Sequence, residues 1–406
     1  MTAGPMQIKV VLFNIPTSGH VNPTLPVAME LVRRGHEVVY YLTPGYRQRV
    51  EATGATFRAY EGVADDYFDE VSRRFNPAQL AAQLLGTARD LLPSLAATLR
   101  AEQPHAVVYD SMCPWGRLAA HDAGVTTVAS MSLLDLPPTY ILKSGQLAEA
   151  ARLFARIFPW LLRLRRVARA IQESSGLTLP RFPAILNWPA DHNIWYTSRQ
   201  MVPGADRYGS NYTFVGPPVG PRPDAPEFPF EQLDGQRPLI YISLGTVFNE
   251  NPEFFQRCLD AFGDGEHQVV MSTGRHVAPG SLGPLPRYVI VRPYVPQLEL
   301  LQRASLFISH AGANSVHEGL YHGVPLLLAP QQMEQAMVAA RVVELGAGLV
   351  LSAGATARQI RRQATRILHD SSFVRHAAEL GDGLRTAGGA ACAADALIGV
   401  AAGTRR

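Results

Sequence analysis

The chain reads as an α/β protein of two Rossmann-like domains, each built on a parallel sheet, with the two sheets facing one another across a cleft. Three observations predict this. Apolar runs of strand length alternate with helical patterns along the chain, as buried parallel strands and their covering helices require. A proline-dense stretch near the middle interrupts that alternation. With 406 residues and 47% hydrophobic content, the chain is long enough for two separate cores.

The first apolar run, residues 8–15 (IKVVLFNI), is followed by the turn-rich PTSGHVNP. A helical pattern then places Leu25, Ala28, Met29 and Val32 on one side. The same logic returns with VVYYLT at 38–43, AVVYD at 106–110 and TTVAS at 126–130, separated by helical segments such as 114–124. Residues 216–238 hold seven prolines in 23 positions, the composition of a linker. Beyond it the alternation restarts with LIYISLGT at 239–246, QVVMSTG at 268–274, YVIVRPY at 288–294, LFISHAG at 306–312 and PLLLAP at 325–330. The reading is a first domain over 1–215, a linker over 216–238 and a second domain over 239–385. A C-terminal helix and tail over 386–406 is expected to pack back on the first domain. Open α/β sheets bind ligands at the carboxyl ends of their strands, which places a site in the cleft.

Composition excludes several functions. A net charge of +3 provides no large field for gripping a nucleic-acid backbone. Cys113, Cys258 and Cys392 are scattered without CxxC or CxxH spacing, against both a disulfide framework and a zinc site. The polar start of the chain does not read as a signal sequence, and no uninterrupted apolar run reaches the ~18 residues needed to span a bilayer. A soluble, cytoplasmic protein without integral membrane association is expected. Only Lys9 and Lys143 are lysines among 37 basic residues, a bias most simply ascribed to GC-rich codons. Residues 151–172 (ARLFARIFPWLLRLRRVARAIQ) interleave six arginines with large apolar side chains. Docking on its own domain is the commoner use of such a helix, and a membrane surface or an apolar ligand is the other.

The strongest chemical signal is SHAGANS at 309–315, where a buried strand ends and a helix begins. Helix N-termini present free N–H groups and about half a positive charge, which suits a diphosphate. Gly312 permits close backbone approach, Ser315 offers a hydroxyl and His310 a ring donor. Ser315 and Glu318 also form an S-x-x-E capping box that explains the pattern without a ligand. Downstream, Glu334 and Gln335 sit at the carboxyl end of the next strand and can bind sugar hydroxyls. In the first domain, His20 follows the first strand, and its imidazole is suited to removing a hydroxyl proton near neutral pH. Asp110, ending another strand of that sheet, can hold its tautomer, or cap the next helix. Neither GxGxxG nor GxxxxGK[ST] follows the first strand, which demotes dehydrogenases and P-loop NTPases, and no HExxH or other cluster of metal ligands is read in the sequence.

These motifs resemble the family-1 UDP-glycosyltransferases of GT-B fold, in their bacterial macrolide-type branch. The likeness rests on NIPTSGHVNPTLPVAMELVRRGHEV, VVYDS, FVGPP, LIYISLGTVFN, YVPQLELL and, above all, SHAGANSVHEGLYHGVPLLLAPQQMEQ. It implies that His20 deprotonates the acceptor and that Asp110 orients it. Ser243 and Thr246 would lie near the donor phosphates, Val295 and Gln297 by the base and ribose, and Glu318 on the ribose hydroxyls. His310, Gly312, Asn314 and Ser315 would hold the diphosphate, and Glu334 and Gln335 the sugar. The implied reaction is metal-independent, inverting O-transfer of a hexose from a nucleotide sugar to a small-molecule acceptor, with no further cofactor. Glu318 favours a UDP-sugar, which offers two ribose hydroxyls, over a dTDP-sugar. Residues 337–340 (MVAA) stand where relatives often carry an Asn. Segments 60–78 and 136–181 match little of the pattern, so the acceptor is open among macrolide, polyketide and flavonoid-like molecules. Transfer from a dTDP-deoxysugar, epimerase or hydrolase chemistry on the same fold, and a non-catalytic role are the alternatives. A homodimer is left open.

Overall fold

The computed structural model describes residues 6–67, 76–220, 222, 225–245 and 249–403. Its first sheet contains β1 (Lys9–Phe13), β2 (Glu37–Leu42), β3 (Thr56–Ala59), β4 (Ala106–Asp110), β5 (Thr127–Met131), β6 (His192–Trp195) and β7 (Tyr212–Phe214). They run in the order β3-β2-β1-β4-β5-β6-β7. The second sheet contains β8 (Leu239–Ser243), β9 (Gln268–Ser272), β10 (Val289–Arg292), β11 (Ala304–Ser309), β12 (Leu326–Leu328) and β13 (Gly348–Val350), in the order β10-β9-β8-β11-β12-β13. Every pairing in both sheets is parallel. Fold class and family-level architecture are therefore those the sequence predicts, the GT-B arrangement of two Rossmann-like units.

The strand order reverses between β1 and β4 in one sheet and between β8 and β11 in the other. Loops diverge to opposite faces at such switch points and leave a crevice beyond the carboxyl ends. All four strands end in buried residues, so the side chains just after them are held on rigid supports. Close packing fixes the first crevice. A Cβ on Gly116 would meet the Cβ atoms of Tyr109 at 2.7 Å and Phe13 at 2.9 Å, so the helix Pro114–Asp122 lies almost on the backbones of β4 and β1.

The domains touch through specific groups. Leu134 and Leu136, after β5, pack on the second core. The Tyr140 hydroxyl and Lys143 ammonium both reach Glu344, the latter at 2.6 Å, and Arg341 donates to the Gln200 carbonyl at 2.6 Å. The Thr197 hydroxyl lies 2.8 Å from Nε2 of His317, with both residues buried.

The chain end crosses back between domains. The helix Ser371–Thr386 buries Phe373, Ala377, Leu380 and Leu384 against the second domain. Left-handed backbone at Gly388 (φ 95°) and Gly389 (φ 56°) then breaks it. The helix Gly389–Gly403 places Ala393, Ala394, Leu397 and Ala401 in the first core, beside the helix Thr24–Arg33. Together, Ser371–Gly403 is long and apolar enough to cross a membrane. The expectation of no such stretch counted only uninterrupted apolar runs. Here the two halves lie on two different cores.

Candidate active site

His20 lies in the short helix Ser18–Val21, directly after β1. That loop is pinned by the buried Asn14, whose amide donates to the His20 carbonyl at 3.1 Å and to the Tyr40 hydroxyl at 2.9 Å. Asp110, the last residue of β4 and 1% exposed, has Oδ2 2.8 Å from His20 Nδ1. Its Oδ1 accepts from the Met112 N–H at 2.8 Å, and the Ser132 hydroxyl donates to Oδ2 at 3.3 Å. The helix that follows is capped at Cys113 without a side-chain bond, so Asp110 secures the turn rather than the helix end.

A carboxylate on Nδ1 fixes the tautomer with the proton there, leaving Nε2 as an acceptor toward the cleft. Burial lowers the His20 pKa, but the charges of Asp110 and Glu334 and the Asp110 hydrogen bond outweigh it. The ring is held above its ordinary 6.5.

Opposite, the turn after β11 forms the second half of the site. Ala311 takes a left-handed conformation (φ 67°), Gly312 caps the helix Ala313–Tyr321 through its backbone, and no side chain caps it. The capping box expected from Ser315 and Glu318 does not form, because Ser315 lies inside the first turn and Glu318 is engaged elsewhere. The first N–H groups of this helix therefore have no intrahelical acceptor. His310 is gripped between two glycines: a Cβ on Gly245 would approach its Cε1 to 2.5 Å, and one on Gly312 its Nε2 to 2.4 Å. Burial, only partly opposed by a backbone contact with Ser243, pushes the His310 imidazole down to about 4, so it is neutral at pH 7. Its Nδ1 is buried without a hydrogen-bond partner among the described residues. Ser243 ends β8 with its hydroxyl accepting from the Gly245 N–H at 3.2 Å. Thr246 lies outside the described residues.

Glu318 points from the same helix to a polar knot. The Gln297 amide donates to one carboxylate oxygen at 2.6 Å, and Arg222 of the proline-rich segment pairs with the other. The Tyr241 hydroxyl donates to Gln297 Oε1 at 3.0 Å, and Val295 is buried nearby in sequence. Arg222 was not singled out in the sequence, and its only signal was a cation in an otherwise proline-rich stretch. A cavity of about 480 Å³ opens beside this knot, lined by Asn22, Pro26, Met29, Arg222, Asn314 and Glu318.

Glu334 and Gln335 begin the helix Met333–Glu344. Gln335 is buried, and its Oε1 accepts from the Gln331 N–H at 2.8 Å, which leaves its NH2 and the second lone pair of Oε1 for a ligand. Desolvation raises Glu334 to about 7 against the opposing influence of His20. The two halves meet physically: the Asn314 amide donates to the Gly19 carbonyl at 2.7 Å, next to His20. Outside the cleft, Asp264, Glu266 and His267 bring three metal-type ligands together, but Arg361 reaches both carboxylates, at 2.6 Å for Glu266.

Similarity to known proteins fits this geometry. Residues 256–391 match the family described as erythromycin biosynthesis protein CIII-like, C-terminal domain. Over 400 residues the chain is 30% identical to an uncharacterized UDP-glucosyltransferase, YojK, of Bacillus subtilis, covering 96% of each chain. It is also 30% identical to the oleandomycin glycosyltransferase of Streptomyces antibioticus, covering 98% of this chain and 92% of that one. The structure of the calicheamicin glycosyltransferase CalG4 superposes with a TM-score of 0.80 at 28% identity, over 97% of this chain and 98% of that one. With two facing Rossmann-like sheets and full-length similarity of this kind, the chain belongs to the family-1 glycosyltransferases of bacterial natural-product type, enzymes that move sugars from nucleotide donors to small-molecule acceptors.

Proposed function

We propose that this enzyme transfers a hexose, glucose by preference, from a UDP-sugar to a hydroxyl of a macrolide, polyketide or flavonoid-like acceptor, with inversion and without a metal. The carrying observation is the 2.8 Å His20–Asp110 pair placed across the cleft from a helix N-terminus with uncapped N–H groups. In this reading the acceptor hydroxyl gives its proton to His20 Nε2 while its oxygen attacks the anomeric carbon. The bond from that carbon to the diphosphate oxygen breaks on the opposite face, so one displacement inverts the centre. The leaving diphosphate gains charge as the bond lengthens. The helix at Ala313 and the uncharged His310 are arranged to stabilise it. Gly312, Asn314 and Ser315 belong to the turn that opens that helix and would hold the diphosphate, with Ser243 at the end of β8 and Thr246, assigned by resemblance, beside them. Val295, Gln297 and Glu318 would receive base and ribose, and Glu334 with Gln335 the sugar hydroxyls. The buried Cys113 and Cys258 are free thiols, in keeping with a cytoplasmic enzyme.

A UDP donor is supported by the similarity to a UDP-glucosyltransferase. One observation favours the dTDP-deoxysugar alternative: both Glu318 oxygens are already engaged, by Gln297 and Arg222, which weakens the case for a second ribose hydroxyl there. Turnover of UDP- and dTDP-sugars against macrolide, flavonoid and aromatic polyketide acceptors, followed by mass increment, decides between them. Turnover confined to dTDP donors overturns the UDP assignment. Fast sugar release or epimerisation without acceptor overturns transfer.

A further inference from the structure

The helix Leu147–Ser175 does dock on its own domain, as the commoner use of its pattern predicts, burying Ile157, Leu164 and Ile171 beside the helix Pro77–Glu102. That docking uses only one face. Leu147 is 57% exposed, Phe154 67%, Phe158 62% and Leu162 55%. Their spacing of seven, four and four residues sets them in one line along the helix. Arg165, Arg166 and Arg169 continue that line, exposed, and make no ion pair among the described residues. Folding leaves isolated apolar residues at the surface routinely, whereas an aligned row of two phenylalanines and two leucines is a surface with an occupant.

We propose that this stripe docks the enzyme on an anionic lipid surface. The apolar half suits the acyl boundary and the arginine half suits lipid phosphates, the combination that lays an amphipathic helix in a membrane interface. A second copy of the chain fits less well. From Leu147 to Arg169 the row carries no carboxylate, and Glu173 follows only at its end, so the same face of a partner would bring arginines mostly against arginines or apolar side chains. The helix also borders a groove of about 1330 Å³ lined by Leu153, Arg156, Gln332 and Met333, the last beside Glu334. Leu153 and Arg156 fall on the far side of the helix from the stripe, so lipid docking leaves this groove uncovered.

The test is flotation of the full-length enzyme with vesicles of phosphatidylcholine alone or with 30% phosphatidylglycerol, about a third of the lipid being anionic as a probe of charge attraction. Binding is expected only to the anionic vesicles and is expected to weaken with salt. The F154E/F158E variant, and separately R165Q/R166Q/R169Q, should each reduce binding ~10-fold or more while transfer to a water-soluble acceptor stays at the parent rate. Equal binding to both vesicle types overturns the proposal, as does unchanged binding by the arginine variant. A dimer in size exclusion that F154E/F158E dissociates, with no vesicle binding by the parent, overturns it in favour of a second copy.

Discussion

The side-chain amide of Asn314 donates to the backbone carbonyl of Gly19 at 2.7 Å, so a residue in the first turn of a second-domain helix holds the loop that carries His20. Closing that bond requires the two domains to stand at one spacing. Asn314→Ala removes it without touching either the base or its carboxylate, and because the resemblance also places Asn314 by the diphosphate, donor KM is read beside kcat. A hydrogen bond of this kind is worth ~1 kcal/mol net, so kcat is expected to fall about fivefold. A KM effect alone, with kcat unchanged, would show that the bond does not position His20.

His20→Ala should lower transfer ~100-fold or more while UDP binding persists, since base catalysis supplies that order of rate. Unchanged turnover would sink the mechanism. In the proposed mechanism the free imidazole is the reactive form, so the rate should rise with pH through a pKa above 6.5. Asp110→Asn removes the carboxylate that raises that pKa. Its rising limb should therefore move to lower pH even as the plateau drops, a pattern that mere misfolding would not produce.

Glu334 titrates at about 7 in the folded protein against an ordinary 4.5. A carboxyl raised by folding contributes stability that is fully present below pH 4.5 and is lost as pH climbs through 7. Glu334→Gln should therefore gain thermal stability relative to the parent across that window, and the two melting curves should diverge upward from pH 4.5. Parallel profiles would place the carboxyl in water. The same variant should lower the His20 pKa, because Glu334 helps to raise it.

His317 behaves oppositely. Burial pushes it down to about 4 from 6.5, so its contribution to stability is present above pH 6.5 and is lost as pH falls toward 4. Thr197→Val strips the partner from its buried Nε2, at a cost of ~1–3 kcal/mol. Hydrogen exchange should show the loss concentrated along the domain contact, and loss confined to one domain would contradict a role in joining them.

How much of this was legible in the sequence follows from where each signal resides. The central strands β1, β4, β8 and β11 are buried and announce themselves as apolar runs. Of the edge strands only β10, buried over its first three residues, does the same; β3 buries only Phe57, β7 is half-exposed throughout, and β13 has three residues with one buried. Little in the composition of these last three separates them from loop. His20, Asp110 and His310 could be read because each directly follows or ends a legible strand. The Arg222–Glu318 pair, the Thr197–His317 bond and the Tyr140–Glu344 contact span 96, 120 and 204 positions. Nothing local in the sequence pairs such residues, since only the assembled cleft brings them together.

The return of the C-terminal helix to the first domain also bears on motion. The chain passes between domains twice, and the passages touch: the Gly389 N–H donates to the Val215 carbonyl at 2.6 Å, and a Cβ on Gly216 would strike the Leu384 carbonyl at 2.2 Å. Two threads bound side by side resist swivelling in a way that one does not. Any twist of one domain against the other must therefore distort both passages at once, and the contacts at Val215 and Leu384 oppose it.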